Sequence, residues 1–354
     1  MPTPESSPRP TVLRVRDLSS LVVAVEHMVG FRPSESLVAV ALCGPRERLT
    51  FTLRLDLPDE HDGDQAVAAI ATEVARRMAC AEADAVILFV HTDEPPVAGR
   101  LPRRELVEAV ETALGAPLRE AALVSSERLW SYICTDQRCC PPEGRQFDRE
   151  SSGALALAAA HAMLGNAVFG SRDELVESVR PVGGIAAFSM QQALDRATDD
   201  MLEVGPAAFA DEVGAEIDCL RERFADPRAS LSDDEAARVA VALGDRLLRD
   251  RMLVDLSDPD DEALRRLLSV VARRAQTPDD AAVCTCVGYA AYVDGSGVVA
   301  SAALERALRS DPDYSLAQML LTMLEHQVSP KQVRECAAGI GDEVDRLISR
   351  RRRR

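Results

Sequence analysis

A run of six apolar residues, AVILFV at positions 85–90, limits the possible folds more than any other stretch of this sequence. A short continuous apolar run is typical of a strand that is buried on both faces. The segments around it alternate, with helical patterns at 18–28, 64–81 and 101–114 and strand patterns at 12–15, 36–42, 49–57 and 118–125. Helices that alternate with buried strands predict an α/β domain, a mixed sheet with flanking helices, over residues 1–150.

The pattern changes near Ser151, after which almost every segment is helical. Ser232 and Glu235 have the spacing of a capping box at the start of one candidate helix. We predict an all-α domain over residues 151–345 and a basic, disordered tail over 346–354. The candidate helices cover 152–164, 172–179, 185–202, 206–224, 232–249, 259–275, 278–293 and 298–309, then a segment ending at 324 and a last helix that begins at Pro330.

Two of these helices, 278–293 and 298–309, resemble a tetratricopeptide hairpin. Gly288 would allow a close approach of the helices, and Pro312 follows at about the spacing at which such a repeat ends. Small or apolar packing positions are occupied by Ala300, Leu304 and Ala307. Cys284 stands where a tryptophan is usual, and no second copy is found. We therefore expect a single repeat-like helical hairpin within a larger bundle.

The formal net charge of −17 argues against binding to nucleic acids or anionic membranes, which requires a positive field. The exception is the tail, where five consecutive arginines run from Arg350 to Arg354. No stretch approaches 18 uninterrupted apolar residues, so we expect no membrane span, and the polar first ten residues predict no secretory signal. Nine scattered cysteines do not resemble a secreted disulfide framework, which favours the reducing cytoplasm.

The predicted α/β domain ends in WSYICTDQRCCPPEGRQFD, residues 130–148, which contains the single tryptophan and three of the nine cysteines. Its aromatic and β-branched start predicts a strand, and the prolines and glycine that follow predict a turn. A short second strand at Gln146 and Phe147 would complete an irregular hairpin. Cys134, Cys139 and Cys140 would then lie together at its tip.

Three interpretations of these cysteines remain open. A zinc site needs four ligands, and adjacent residues of an extended strand point to opposite faces, so Cys139 and Cys140 would bind one ion only if a turn brought both inward. A disulfide between these neighbours is strained, because adjacent Cα atoms are about 3.8 Å apart and a bridge needs about 4.4 Å or more. Burial of small apolar thiols under a loop is the interpretation we favour, which predicts a metal-free loop.

The cysteine pattern, Tyr-x-Cys-x₄-Cys-Cys-Pro-x₂-Gly, begins at Tyr132 and ends at Gly144. It resembles the actinobacterial family described as domain of unknown function 4192. Two further stretches share the resemblance, GF-x-P-x-x-SLV at 30–38 and GYAA at 288–291 with DP-x-YSLA at 311–317. The resemblance implies an actinobacterial, cytoplasmic protein, and it implies no activity, substrate or catalytic residue.

Motifs for phosphate loops, dinucleotide binding, nucleophile elbows and zinc proteases are absent, and the sequence does not decide whether the protein is an enzyme. We expect a non-catalytic interaction or regulatory protein without a cofactor, which binds an unknown protein partner through its helical domain. The alternative is an enzyme or a small-ligand or redox sensor with a site where the 85–90 strand ends, near the cysteines. The candidate residues of that site are His91, Asp93, Cys134, Asp136, Cys139 and Cys140.

Overall fold

The structure, a computed structural model, describes residues 17–59, 62–97, 99–126, 128–163, 168–351 and 353. It divides into two compact units, Met1–Ser171 and Arg172–Arg354. The strand expected at 12–15 lies outside the described residues. Within the described ranges, none of the helices is long and apolar enough to span a membrane.

The first unit contains a six-stranded mixed sheet with flanking helices, which confirms the predicted α/β class. The strand order is β2-β1-β3-β4-β5-β6, with β3 and β4 parallel and the other neighbours antiparallel. The strands are β1 (Ser36–Cys43), β2 (Arg48–Asp56), β3 (Ala85–His91), β4 (Leu118–Val124), β5 (Arg128–Ser131) and β6 (Arg145–Gln146). The helices are α1 (Leu18–Val29), α2 (Gly63–Cys80), α3 (Arg104–Ala113) and α4 (Ser152–Met163).

Strand β3 is the centre of this sheet, and each of its residues is buried. Successive side chains point to opposite faces, so both faces of β3 must be covered. Val86, Leu88 and Val90 pack on one face in a cluster that includes Val74 of α2 and Val110 of α3. The continuous apolar run therefore predicted a doubly buried strand correctly.

The ends of α1 follow from single residues. The Asp17 carboxylate accepts a hydrogen bond from the Ser20 amide at 2.8 Å, which satisfies one free donor of the first turn. Gly30 ends the helix with φ of 87°, a left-handed conformation that favours glycine. Both roles were predicted from the sequence. Helix α1 packs against α4, which lies in the same unit.

The second unit is helical, as predicted. Its central helix is α11, in which every residue is buried, and it packs against α8, α9, α10, α12, α13 and α14. The helices are α5 (Arg172–Ser178), α6 (Gly184–Val204), α7 (Pro206–Arg223), α8 (Asp233–Ala242), α9 (Arg246–Leu256), α10 (Glu262–Arg274), α11 (Asp280–Val293), α12 (Gly297–Ser310), α13 (Ser315–Glu325), α14 (Pro330–Ala338) and α15 (Gly341–Arg351).

Helices α11 and α12 make the close approach that the sequence predicted. A Cβ atom on Gly288 would lie 2.7 Å from Cγ of Leu304, so a larger residue would push α12 away. A buried ion pair between Asp280 and Arg306 adds a polar link between the same helices at 2.9 Å. The likeness of this hairpin to a tetratricopeptide repeat stays a prediction.

Aspartate caps account for two differences from the predicted helices. The helix expected over 232–249 is interrupted after α8, because Asp245 caps α9 by accepting a hydrogen bond from the Leu248 amide at 3.0 Å. The helix expected to begin near Pro259 begins at Glu262, because Asp261 accepts from the Leu264 amide. The capping box of Ser232 and Glu235 is present as predicted.

The C-terminal tail differs from its prediction. Residues 346–351 belong to α15, so the predicted disorder is wrong for this part of 346–354. The Arg351 guanidinium lies 2.7 Å from the carboxylate of Asp211 and 2.8 Å from that of Asp245, and its side chain is only 17% exposed. Arg351 therefore joins α15 to α7 and to the N-terminal cap of α9.

We predict that Arg351→Ala lowers the free energy of unfolding by about 1–3 kcal/mol, because two partly buried carboxylates lose a charged hydrogen-bond donor. Arg353→Ala is the matched control, since this exposed side chain donates to the nearby Ser349 carbonyl, and it should change stability by less than about 0.5 kcal/mol. Urea unfolding followed by circular dichroism measures both. Equal effects of the two variants would contradict the docking of Arg351.

Candidate metal centre

Strands β5 and β6 pair as a short hairpin, as the sequence predicted, with Arg128 opposite Gln146 and Leu129 opposite Arg145. We call the connecting residues 132–144 the cysteine loop. Trp130 holds the return of this loop, because its Nε1–H donates to the Pro142 carbonyl at 3.1 Å. Gly144 is required beside it, since its φ is 78° and a Cβ atom would lie 2.4 Å from the indole ring.

Ser131 positions the first cysteine. Its hydroxyl accepts hydrogen bonds from the amides of Ile133 and Cys134, at 3.2 and 2.9 Å. The same hydroxyl donates to the Glu120 carboxylate on β4 at 2.7 Å. Cys134 is thus fixed to the sheet through a local turn of the kind that serine favours.

Asp136 positions the other two cysteines. Its main-chain carbonyl accepts from the amides of Cys139 and Cys140, at 3.0 and 2.7 Å, and its carboxylate accepts from the Arg138 amide at 3.0 Å. These bonds fold 136–140 into a tight turn rather than an extended strand. The opposite orientation of Cys139 and Cys140, which was expected only for an extended strand, therefore does not apply here, and the structure has the alternative, a turn.

The turn brings three sulfur atoms together. The Sγ atoms of Cys134, Cys139 and Cys140 lie within 4.8 Å of one another, and in the described part of the chain these side chains form the group of three metal-ligand residues found this close. All three are free thiols; Cys139 is exposed, and the other two are half-buried. Our favoured interpretation, thiols buried under a loop, is wrong for Cys139.

The geometry suits a soft divalent metal. Tetrahedral zinc with Zn–S bonds of about 2.3 Å needs sulfur atoms about 3.8 Å apart. Sulfurs that already lie within 4.8 Å need to move by only about 1 Å to reach this spacing. Thiolates favour zinc or copper(I) over magnesium or calcium.

Without a metal, the electrostatics of the loop keep at least one thiol protonated. Partial burial, together with hydrogen bonds to Cys134 and Cys139, raises the pKa of Cys140 to about 12. A thiol with this pKa is a poor nucleophile at neutral pH. The loop is therefore better suited to binding a cation, which displaces the proton, than to nucleophilic attack.

His91, the other main candidate, is sealed inside the sheet. It is 3% exposed at the end of β3, between Ser36 on β1 and Val124 on β4. Burial lowers its pKa to about 3, with smaller contributions from the positive charges of Arg149 and Arg54, so the ring is neutral at physiological pH. Its Nε2 atom is buried and has no hydrogen-bond partner among the described residues.

The strand register keeps His91 away from the cysteines. His91 pairs with Val124 at the carboxyl end of β4, whereas Ser131 pairs with Ala122 and the chain continues toward the other end of β4 before it reaches Cys134. Asp93, two residues after His91, is exposed and accepts from the Ser126 amide at 2.8 Å. Of the six candidate residues, the structure brings together the three cysteines and Asp136.

Sequence reasoning missed two supports of this centre, Ser131 and the contact between Trp130 and Gly144. A serine three residues before Cys134 is the local signal for the first. The second depends on a glycine 14 residues away in the chain, for which no local pattern exists. Two cavities in the described residues, of about 580 and 500 Å³, are lined by neither His91 nor the cysteines.

Comparison with known proteins gives one match. The model of the family described as Domain of unknown function (DUF4192) matches residues 19–331, which is most of the chain. No curated protein matches the chain, and no solved structure matches it.

We predict that the buried, neutral His91 makes the first unit less stable in acid. The folded pKa of about 3 is lower than the ordinary value of 6.5, so between these values the unfolded chain binds the extra proton and stability falls as pH falls. From pH 7 to 4.5 this costs roughly 2–3 kcal/mol. The pH dependence of urea unfolding should therefore be weaker by this amount in His91→Asn than in the parent.

The matched control for this prediction is His326→Asn, which removes the exposed histidine that directly follows α13. It should leave the pH dependence of the parent unchanged. Identical pH profiles for His91→Asn and the parent would mean that His91 is protonated as easily in the folded state as in the unfolded one.

Proposed function

The chain belongs to the DUF4192 family, and we propose that it is a non-catalytic regulatory protein whose cysteine loop binds one zinc ion through Cys134, Cys139 and Cys140. The observation that carries this proposal is the approach of three thiol sulfurs within 4.8 Å of one another. The proposal places the protein in a reducing compartment, the cytoplasm, where the thiols would stay available for a metal.

Local hydrogen bonds support zinc binding, because the loop is organised before any metal is bound. Ser131 fixes Cys134, and Asp136 fixes Cys139 and Cys140, so the metal does not have to order an extended chain. Less conformational entropy is then lost on binding than for a flexible segment. A metal bound here would link the exit from β5 to the turn that precedes β6.

The donor set supports regulation rather than hydrolysis. Zinc enzymes that activate water use ligand sets such as three neutral imidazoles, which leave the ion strongly positive. Three thiolates more than cancel the charge of the ion, so they lower the pKa of a bound water less than three neutral imidazoles would. Buried His91 is not placed to act as a base at the loop.

We predict that protein purified without chelator contains about one zinc per chain, measured by elemental analysis together with native mass spectrometry. Cys139→Ser should lose most of the metal, because it removes one of three ligands. Cys219→Ser is the matched control, since it removes an exposed thiol from α7 and should keep full zinc content.

Two results of this experiment would contradict the proposal. Zinc content near zero in protein that remains reduced would show that the loop is metal-free. A mass about 2 Da below the reduced chain, with the loss mapped to these cysteines, would instead identify a disulfide and a redox sensor.

We further predict that zinc affinity rises with pH. The Cys140 thiol, with its pKa raised to about 12, must release its proton when zinc binds, so protons compete with the metal. The association constant should increase by at least about tenfold per pH unit between pH 6 and 8. Competition with a chromophoric chelator measures it, and an affinity independent of pH would argue against thiolate ligands.

A further inference from the structure

The three thiols of the cysteine loop differ in how easily solvent reaches them. Cys139 is exposed, whereas Cys134 and Cys140 are half-buried. A small oxidant that arrives from solvent therefore meets the Cys139 sulfur first. Oxidation of cysteine begins at accessible thiolates, and a sulfur that binds a metal has already lost its proton.

Cys139 also has neighbours that can complete its oxidation. The sulfurs of Cys134 and Cys140 both lie within 4.8 Å of the Cys139 sulfur. A disulfide bond is about 2.05 Å long, so closing the gap requires a movement of at most about 3 Å. A change of one χ1 rotamer moves a cysteine sulfur by about 3 Å. The cysteine loop, which is described throughout, lies between β5 and β6 outside any helix or strand, so the backbone does not oppose this movement.

Chain geometry decides between the two neighbours. Adjacent Cα atoms are about 3.8 Å apart, which is shorter than the roughly 4.4 Å that an unstrained disulfide needs, so a bridge between Cys139 and Cys140 is disfavoured. Cys134 is not adjacent to Cys139, and the segment 134–139 can close a short ring. Cys134 is therefore the thiol that reacts with oxidised Cys139, and Cys140 remains a thiol.

We propose that the cysteine loop is a modification site for hydroperoxides, which convert Cys139 and Cys134 to a disulfide and thereby release the zinc. This inference rests on the zinc binding proposed above. The Cys139 thiolate attacks one oxygen of hydrogen peroxide, the O–O bond breaks and hydroxide leaves, which gives a sulfenic acid on Cys139. The Cys134 thiolate then attacks the Cys139 sulfur and displaces a second hydroxide.

Electrons and charges balance over these two steps. The two thiolates lose two electrons in total, hydrogen peroxide gains them, and two hydroxide ions form. The metal remains Zn²⁺ throughout, and it is released because it loses two of its three cysteine ligands. Cys140 takes a proton from water when the metal leaves. Because the bridge includes the exposed Cys139, a thiol reductant can cleave it, and zinc binding then returns.

The test uses the full chain, reduced and then loaded with zinc, and its metal content is measured before any oxidant is added. Hydrogen peroxide should release the zinc, which a chromophoric chelator detects. It should also lower the mass of the chain by about 2 Da from that of the reduced, metal-free protein. Peptide mapping should place the bridge between Cys134 and Cys139, and dithiothreitol should restore both the mass and the capacity for zinc.

Two variants separate the roles of the cysteines. Cys134→Ser removes the thiol that closes the bridge, so its Cys139 sulfenic acid should persist, react with dimedone and show no loss of 2 Da. Cys219→Ser removes an exposed thiol from α7 and should release zinc and form the bridge as the parent does.

Three outcomes overturn the inference: zinc that stays bound while other cysteines are oxidised, a bridge that maps to Cys140, or oxidation of Cys139 to a sulfinic acid without any bridge. A reduced chain that takes up no zinc refutes the zinc proposal instead, and elemental analysis identifies that result. The bridge is then scored in the metal-free chain by mass and mapping alone, and its absence there overturns the inference as well.

Discussion

Strand β3 has no side that faces solvent, and this constraint organises the whole first unit. A strand that is buried on both faces must have strands on both edges and helices on both sides. β1 and β4 supply the edges, and the apolar faces of α2 and α3 cover one side. The same burial removes water from His91, at the last position of β3, and so forces its imidazole to remain neutral. The neutral state of His91 is thus a consequence of the packing, and His91 does not belong to a solvent-accessible site.

In the second unit a fully buried helix, α11, has the role that β3 has in the first unit. α11 is buried along its whole length, so neighbouring helices must pack closely around it. Gly288 lets α12 approach where a side chain would not fit. The single charged residue of α11, Asp280, is paired with Arg306 of α12, and arginines on the outer helices join neighbouring elements. Arg351 on α15 is one case, because it satisfies two carboxylates that would otherwise face each other across α7 and α9.

Features that depend on residues close together in the chain could be predicted from the sequence, and features that depend on distant contacts could not. The apolar run at 85–90, the Asp17 cap and the Gly30 end depend on residues that are close in the chain, and they were predicted. The helix break at Asp245 depends on a cap that competes with helix continuation. The ordered conformation of α15 depends on a pair of carboxylates that are distant in the sequence. In the cysteine loop the residues were found, but their geometry was not, because the main-chain carbonyl of Asp136 decides where Cys139 and Cys140 point.

The contact between Trp130 and Gly144 has a spectroscopic consequence. Trp130 is the single tryptophan of the chain, and its indole lies against the return of the cysteine loop. Intrinsic tryptophan fluorescence of this protein therefore reports on one hairpin of the first unit and is silent about the helices of the second. Far-ultraviolet circular dichroism has the opposite weighting, because most of the helices belong to the second unit. Unfolding curves from the two methods describe different parts of the molecule, and a difference between them measures the independence of the units rather than an intermediate within one cooperative transition.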